Sequence, residues 1–556
     1  MRADDFNLIY QPWIKVRTED AQIKEVSLLE VFSQSHKVQA ISGELPTQDA
    51  AILRLLLAVL YTVFSRMDVD GEPSPLESED EALDRWQELW ENRQFPMEPI
   101  QNYLDEWKDR FWLFDEKYPF YQSPDAKKIA GKKDNKLKCQ AAKLNGEISQ
   151  SGNKIRIFSG RNQEERDSLS YGEAARWLIH LIAYDDSSVK PSDSYKQKKK
   201  VGQTKEGESP GIGWLGKLGL VYAEGDNLFE TLMLNLVFCP NGQWDENCME
   251  QNPIWEWEDN SVREREKVSC PDNMAELLTF PSRYVLLERE NDRVQGAYPV
   301  SGMFFDPAVP LEQMTIRKGQ SKKKDESPYL PRIHSSGVFL WQEFESLFVV
   351  SGEIKDCRPG VVLWINQLQA PENHMIDREK LVRFSSVGMF YDSKKCSFED
   401  IESDGLSLHA GLISELGISW RKMISEEMGF TEKAANYVGI LSEELSIAES
   451  GNLKDDNRVK TAKEKGKSRF YEQMDILFRK WLCSISVDDT DEEEKRSQWR
   501  EQVFRAARNL GRDLADNVGP AAYAGRMVQA KKNESKTYYS AAKSYTNFLE
   551  KLNYIN

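Results

Sequence analysis

Residues 47–64 read Thr-Gln-Asp-Ala-Ala-Ile-Leu-Arg-Leu-Leu-Leu-Ala-Val-Leu-Tyr-Thr-Val-Phe. On a helix, Ile52, Leu53, Leu55, Leu56, Val59, Leu60, Val63 and Phe64 cover most of the circumference. A helix apolar nearly all round is buried, so this segment predicts the anchor of a large N-terminal core. Its unbroken apolar stretch, 55–64, is short of the roughly 20 residues a membrane helix requires.

Around this helix the chain alternates short apolar runs with turn signals. Upstream, 6–10 (Phe-Asn-Leu-Ile-Tyr) and 13–16 (Trp-Ile-Lys-Val) are strand-like and broken by Pro12. Downstream, 284–287, 337–341 and 361–365 are further candidate strands. From about Leu406 proline nearly disappears and helical spacing takes over. Phe470, Met474, Leu477 and Trp481 mark one face; Trp499, Val503, Ala506, Leu510 and Leu514 a second; Tyr538, Ala541, Tyr545, Phe548 and Leu552 a third. Thr490 and Glu493 suggest a capping box, and Gly519-Pro520 a stop. The predicted fold class is α+β: a mixed domain over 1–400, then a four-helix-type α-helical bundle over 401–556. Length alone suggests about three to five structural units.

Composition narrows the function. The 556 residues include Trp 15, Tyr 20 and Phe 24, too many aromatics for a disordered chain. A net charge of −17 excludes a uniformly basic coat for nucleic acid but not local basic patches. The seven cysteines and five histidines are widely scattered, without a C-x-x-C pair, so neither a disulfide framework nor a zinc knuckle fits. No cofactor and no metal is expected. The N-terminus lacks the pattern of a signal peptide, and the expected location is the cytoplasm, away from membranes.

Charge is segregated. Residues 127–156 carry nine bases against two acids, and 190–217 carry seven lysines against three acids. Arg317, Lys318, Lys322, Lys323 and Lys324 form a third cluster. Acidic runs lie at 72–91 and 488–494. A single lysine cluster usually means a solvated loop; three in one domain of an acidic protein favour a polyanion surface. On the helical part, Lys463, Lys465, Lys467, Arg505, Arg508, Arg512, Arg526, Lys531 and Lys532 are further candidates.

The segment 210–219, Pro-Gly-Ile-Gly-Trp-Leu-Gly-Lys-Leu-Gly, matches G-x-G-x-x-G through Gly211, Gly213 and Gly216, and most of G-x-x-x-x-G-K through Gly211, Gly216 and Lys217. Both motifs bring backbone N–H groups against phosphate. The second needs Ser or Thr next, and Leu218 stands there. The first needs a preceding buried strand, and a lysine-rich polar stretch precedes it. A nucleotide cofactor is therefore not expected. What is left is a close-approach backbone flanked by Lys205 and Lys217 with one bare aromatic, Trp214; the alternative is a surface turn whose Trp packs on its own domain. There is no H-E-x-x-H and no G-x-S-x-G, so no enzyme signature emerges. His180, within the apolar run 177–182, reads as a hydrogen-bonded core histidine.

The run 6–17 (Phe-Asn-Leu-Ile-Tyr-Gln-Pro-Trp-Ile-Lys-Val-Arg) resembles the opening of the CasA family, the large subunit of the type I-E CRISPR Cascade complex. Ser27-Leu28-Leu29-Glu30-Val31-Phe32, Glu44-Leu45-Pro46, Arg110-Phe111-Trp112-Leu113-Phe114, Tyr118-Pro119-Phe120-Tyr121-Gln122 and Tyr171-Gly172-Glu173-Ala174-Ala175-Arg176-Trp177-Leu178 follow in the same order as in the family, and then the glycine loop. The resemblance covers essentially the whole chain and is strongest over the first 180 residues and at the loop.

This resemblance implies a non-catalytic subunit of an RNA-guided antiviral complex. It would recognise the protospacer-adjacent motif in duplex DNA, promote strand separation and R-loop formation, and help recruit a helicase-nuclease; crRNA pairing reads the rest. Implied partners are crRNA, double-stranded target DNA, the backbone, handle-binding and small helical subunits, and the helicase-nuclease. By resemblance, Gly211, Gly213, Trp214, Gly216 and Lys217 form the minor-groove loop, with Trp214 and Leu215 where some relatives carry glycine. Residues 391–397 resemble the wedge hairpin, where Lys394 or Lys395 takes the place of a family glutamine. Arg293 or Gln295 would face the motif. Asn153, Lys154, Arg156 and Phe158 would dock on the RNA handle and a neighbouring subunit. The competing readings are a glycine-loop nucleotide-binding enzyme and a scaffold subunit that never touches DNA.

Overall fold

The computed structural model describes residues 6–131, 139–145, 167–188, 190, 211–245, 250–263, 266–318, 329–349, 357–370, 373, 375–452, 456–529 and 536–555. The fold is α+β and falls into two compact units, fewer than length suggests. The first takes the described residues up to Val338, those of 350–375, and 382–405; the second takes 339–349, 376–381 and the described residues from 406 onward. Two short earlier segments thus belong to the helical unit, an arrangement that one cut in the sequence cannot represent.

In the first unit, β1 (Ile14–Thr18) lies between β2 (Ile23–Val26) and β3 (Val38–Ile41) in an antiparallel sheet, with Ile14 opposite Val26 and Val16 opposite Ile41. Helix α1 (Pro46–Phe64) starts on proline, whose missing N–H costs nothing in the first turn. It is buried along almost its whole length, as its pattern requires. Helix α2 (Tyr171–Tyr184) packs against it and begins with a capping box, Ser170 and Glu173 each accepting the other's backbone N–H. Arg176 of α2 is fully buried and donates to the Trp13 carbonyl (2.6 Å), Glu25 (2.9 Å) and Glu44 (2.6 Å), which ties the sheet to the helix. Burial opposes ionisation of Glu44, yet Arg176 and Lys15 hold its carboxyl at about 2. His180 lies 3.0 Å from the Thr47 hydroxyl, and burial lowers its pKa to about 4, as a core histidine should behave.

The remaining sheets are small. A two-residue strand β4 (Cys139–Gln140) pairs with β8 (Arg293–Ala297), which pairs with β7 (Leu287–Glu290). The β7–β8 turn, Asn291-Asp292, has φ of 50° and 59° at its two residues, the conformation that favours Asn and Asp in tight hairpins. Strand β6 (Arg283–Tyr284) pairs with β9 (Val300–Ser301). The sheet that carries the site has the order β11 (Phe398–His409), β10 (Leu381–Tyr391), β5 (Leu220–Glu224), with Arg383 opposite Glu224 and Val387 opposite Leu220.

Three expected strands turn out otherwise. Residues 7–10 form a bridge at Asn7 followed by a turn. Leu340–Glu343 is a 3₁₀ turn. The run 361–365 lies in a helix, α3 (Gly360–Leu368), entered from Pro359. A short apolar run buried on most sides has no period to separate strand from helix, and here the proline decided. The predicted strand 284–287 is split between β6 and β7.

The second unit is built on α4 (Ile418–Ser450), α5 (Asn457–Cys483), α6 (Glu492–Asp516) and α7 (Ala541–Asn553). Phe470, Met474, Trp481, Trp499, Val503 and Leu510 are buried, with Trp481 stacked on Trp499 at 4.9 Å. Glu427 of α4 is wholly buried and takes Arg496 (2.9 Å) and Arg500 (2.8 Å) from α6. The cap of α6 is Asp491, which accepts from the Glu494 N–H, one residue beyond the expected box. Tyr538 belongs to a hairpin of β12 (Arg526–Val528) and β13 (Thr537–Tyr539), not to the last helix.

Candidate nucleic-acid interface

The glycine loop is seated on the end of α2. The Gly213 N–H donates to the Asp185 carbonyl at 2.9 Å. A Cβ at 213 would overlap the Ala183 carbonyl and lie 2.8 Å from the Tyr184 nitrogen, so the close approach demands glycine. Gly216 is pressed against the Tyr391 ring from β10. Gly211 has φ +65°, and among the described residues nothing stands within 4 Å of where its Cβ would be.

Trp214 is not bare. It is 3% exposed, its N–H donates to the Ser282 hydroxyl (3.1 Å), and its indole donates to Glu312 (2.9 Å). The ring packs on Phe305 with centroids 4.5 Å apart. Glu312 is in turn gripped by both ends of the Arg54 guanidinium from α1, at 2.8 and 3.0 Å. The indole offers one donor and a broad apolar face, and the core satisfies both. Trp214 therefore anchors the loop from below, which corrects its expected place as a groove contact.

The loop also lacks the geometry of a nucleotide site. Leu215–Lys217 is a 3₁₀ turn that runs directly into strand β5. Both phosphate-cradling motifs need a helix N-terminus at that point. Among the described residues, no cluster of three His, Cys, Asp or Glu side chains is placed to hold a metal ion.

The candidate wedge lies beside the loop. Strands β10 and β11 are joined by 392–397, where Asp392 accepts N–H groups from Cys396 (2.6 Å) and Ser397 (3.2 Å). Lys395 has φ +55°, and Lys394 and Lys395 are exposed. The Tyr391 hydroxyl donates to the Tyr184 carbonyl at 2.5 Å. At the tip, Ser187 donates its N–H to the Lys395 carbonyl (2.7 Å) and its hydroxyl to the Lys394 (3.1 Å) and Lys395 (2.7 Å) carbonyls. The segment just after α2 thus holds the glycine loop through Asp185 and the hairpin tip through Ser187.

Charge at this junction is uneven. Arg283 donates to the Asp185 carboxylate (2.7 Å) and to the carbonyls of Gly211 (2.6 Å) and Asp186 (2.8 Å). Lys190 pairs with Asp186 (2.7 Å) and Asp185 (3.0 Å), and Lys143 stands 3.8–3.9 Å from both. Burial opposes ionisation of Asp185, but Lys190, Arg283 and Lys143 outweigh it and hold the carboxyl at about 2. Lys217 is pushed the other way, down to about 8, by burial first and then by the charges of Arg283 and Lys395.

Other expected contacts lie apart. Arg293 and Gln295 are on β8, in a different sheet from the loop, and the Arg293 guanidinium donates to Ser168. Arg317 is buried and hydrogen-bonded to Asn241, so it is not part of a solvated cluster. Several bundle cations are engaged locally: Arg505 with Glu501, Arg508 with Asn553, Arg526 with the Glu449 carbonyl. Asn153, Lys154, Arg156 and Phe158 lie outside the described residues, as do Lys205, the lysines at 322–324, Lys531 and Lys532. Sequence reasoning missed Asp185, Ser187, Arg283 and Glu312. Their only local signal is two acids directly after an apolar helix, because their partners are distant in the chain.

A family model for CRISPR-associated protein Cse1 matches residues 7–510. A Thermus thermophilus protein, CRISPR-associated protein CasA/Cse1, is 29% identical over 371 residues, 64% of this chain and 65% of that protein, so the alignment spans just under two thirds of that relative. The solved Cse1 of Thermobifida fusca has a TM-score of 0.79 at 26% identity, with 98% of this chain and 97% of that chain covered. A chain from a solved CRISPR RNA-guided surveillance complex shares the fold at a TM-score of 0.68 and 17% identity, 99% of each chain being covered. With the family match running through both units, the chain belongs to the CRISPR-associated Cse1 family.

Proposed function

We propose that this chain is the subunit of a cytoplasmic RNA-guided DNA-surveillance complex that recognises a short motif in duplex DNA and starts strand separation. It binds without turnover, and it helps recruit the helicase-nuclease. The observation that carries the reading is the joint seating of the glycine loop and the lysine-tipped hairpin on the segment 185–187. A loop that admits close approach beside an exposed cationic tip supports a device that reads a groove and parts the neighbouring base pair. Base pairing with crRNA reads the remaining sequence, and the chain docks on the handle of that RNA beside the other subunits. The nucleotide-enzyme reading has no support from a loop that enters a strand.

The test is duplex binding by a crRNA-loaded core complex, with and without this chain, on targets whose adjacent motif is randomised. Enrichment of a subset of motifs only when the chain is present supports the reading. Binding that is indifferent to the motif, or unchanged by the chain, refutes it in favour of a scaffold.

A further inference from the structure

We propose that the cavity bordered by β1, β3, β5 and the first turns of α1 is a binding site for a linear aliphatic diamine. The inference goes beyond motif reading and does not depend on it.

The cavity measures about 190 Å³ and lies within the first unit, at the end of β5 away from the glycine loop. Pockets for drug-sized ligands begin at roughly 300 Å³, so this one suits a short, narrow molecule. Its walls are largely apolar. Leu53 of α1 and Leu228, which opens the helix Leu228–Asn235, are 3% and 1% exposed, and Ala40 and Ile41 of β3 also line it.

The charge around it is one-sided. Among the described residues that line it, Asp49, Glu224 and Asp226 stand against one cation, Arg17. Arg17 is exposed, and its Nε–H donates to Gln39 at 3.0 Å. Asp49 belongs to the first turn of α1 and takes the Gly43 N–H on one carboxyl oxygen at 2.6 Å. Glu224 ends β5 and stands 3.3 Å from Arg383 across the sheet, while Asp226 is exposed in the turn that follows. Tyr222 links the two acidic ends: its hydroxyl is bonded to Glu224 and feels the charge of Asp49. An anion entering here would meet three carboxylates, and a wholly apolar molecule would desolvate them without compensation. An ammonium at each end of a methylene stem meets both requirements, three N–H donors per head for the acids and an apolar stem for the walls.

A proton linkage supports the geometry. Burial is the main cause that raises Asp49 to about 7, with Glu44 adding to it and the Gly43 bond, Arg176 and Arg17 opposing. A cation beside Asp49 favours its ionised form, so binding releases a proton and affinity rises with pH through about 7. With an ammonium that stays charged throughout, the gain between pH 6 and pH 8 is about tenfold. The groups facing Asp49 are Arg17 on β1, Glu44 before α1, Arg176 on α2, and Tyr222, Glu224 and Asp226 on β5 and its turn. Glu44 is held near 2 and burial pushes the Tyr222 hydroxyl far up, so neither changes charge in this window.

The experiment is calorimetric titration of the full chain with putrescine, the four-carbon diamine, at pH 6 and pH 8 and fixed ionic strength. The expected result is saturable binding of one diamine per chain, about tenfold tighter at pH 8, with n-butylamine weaker than the diamine at both. Asp49→Asn keeps an acceptor for the Gly43 N–H and should weaken binding at pH 8 about tenfold or more and flatten the pH profile. Ala40→Leu keeps every lining charge but fills the cavity, and should abolish binding while the circular dichroism of the chain is unchanged. Binding that survives Ala40→Leu and Asp49→Asn is attraction to an acidic surface and overturns the site, as does the absence of saturable binding. An Nα-acetyl-lysine amide that binds as tightly as putrescine overturns the diamine and assigns the cavity to a lysine side chain of a partner.

Discussion

Glu312→Gln probes the link between the core and the glycine loop. Arg54 and Glu312 are 1% and 3% exposed and form two hydrogen bonds, and the Trp214 indole adds a third to the same carboxylate. Among the described residues the Arg54 Nε has no hydrogen-bond partner, so Glu312 is the main compensation there for a buried cation. Removing one member of a buried pair costs about 3–5 kcal/mol, because the remaining charge is left without its counter-ion. The indole bond falls from a charged to a neutral acceptor, a further loss of about 1 kcal/mol. Glu312→Gln should therefore destabilise the first unit by about 4–6 kcal/mol. Trp214→Phe keeps the ion pair and loses one bond to a charged acceptor, about 1.5–3 kcal/mol, concentrated in the loop.

Urea unfolding gives the first readout. Two units make a single two-state value undefined, so the midpoint of the transition belonging to the first unit is followed. Amide exchange at 212–218 gives the second: Trp214→Phe should raise it there while α1 and β1 stay protected. Replacing Arg54 and Glu312 together by Met and Leu should cost much less than the two single changes combined. A Glu312→Gln loss below about 1 kcal/mol, or a double variant as damaged as the sum of the singles, would refute the buried-pair reasoning.

Gly213→Ala forces a Cβ onto the α2 backbone and should unseat the loop at about 1–3 kcal/mol, abolishing motif-selective duplex binding; Gly211→Ala, in open space but at φ +65°, should cost about 1 kcal/mol, and equal damage from the two would contradict the seating. His180 binds its proton near 6.5 when unfolded and near 4 when folded, so acidification from pH 7 to pH 4 favours the unfolded chain by about 3 kcal/mol. His180→Gln should remove that part of the acid sensitivity, read as the difference from wild type so that Asp49 and Glu276, raised to about 7 and stabilising below it, cancel. Glu427→Gln leaves Arg496 and Arg500 without their shared buried carboxylate and should cost about 3 kcal/mol, seen as faster amide exchange in α4 and α6; unchanged exchange there would count against the pair.

How much could be read in the chain depended on whether the signal was local. Helix α1 was legible because its apolar residues wrap the whole circumference. Helices α5 and α6 were legible from repeated three- and four-residue spacing, and most of the residues that spacing named are buried. Helix α3 was misread because Val361 to Ile365 carry no period, and the β12–β13 hairpin was missed because its strands have three residues each. At the site, the glycines and the lysine tip stand out in the sequence, whereas their proximity does not. It arises from Ser187 meeting carbonyls more than 200 residues away, and from Arg283 reaching back to Gly211.

The glycine motif itself shows why pattern and role came apart. Gly213 is required by the backbone of α2, Gly216 by Tyr391, and Gly219 by the Arg332 carbonyl, so three of the four glycines answer to neighbours inside the fold. A motif that elsewhere frees N–H groups for phosphate is here spent largely on packing, which is why it lacks the helix that such a cradle needs. Of these four, Gly211 alone meets no described residue within 4 Å. Anything the loop offers to a duplex therefore comes from the backbone around Gly211 and from Lys217 at its other end, with Trp214 fixing the span between them. Substitutions at Gly213 or Gly216 consequently test whether the loop is seated, and those at Lys217 and Lys395 test what it binds. Loss of binding in the first pair reports on seating, and a changed salt dependence in the second pair reports on contact with phosphate.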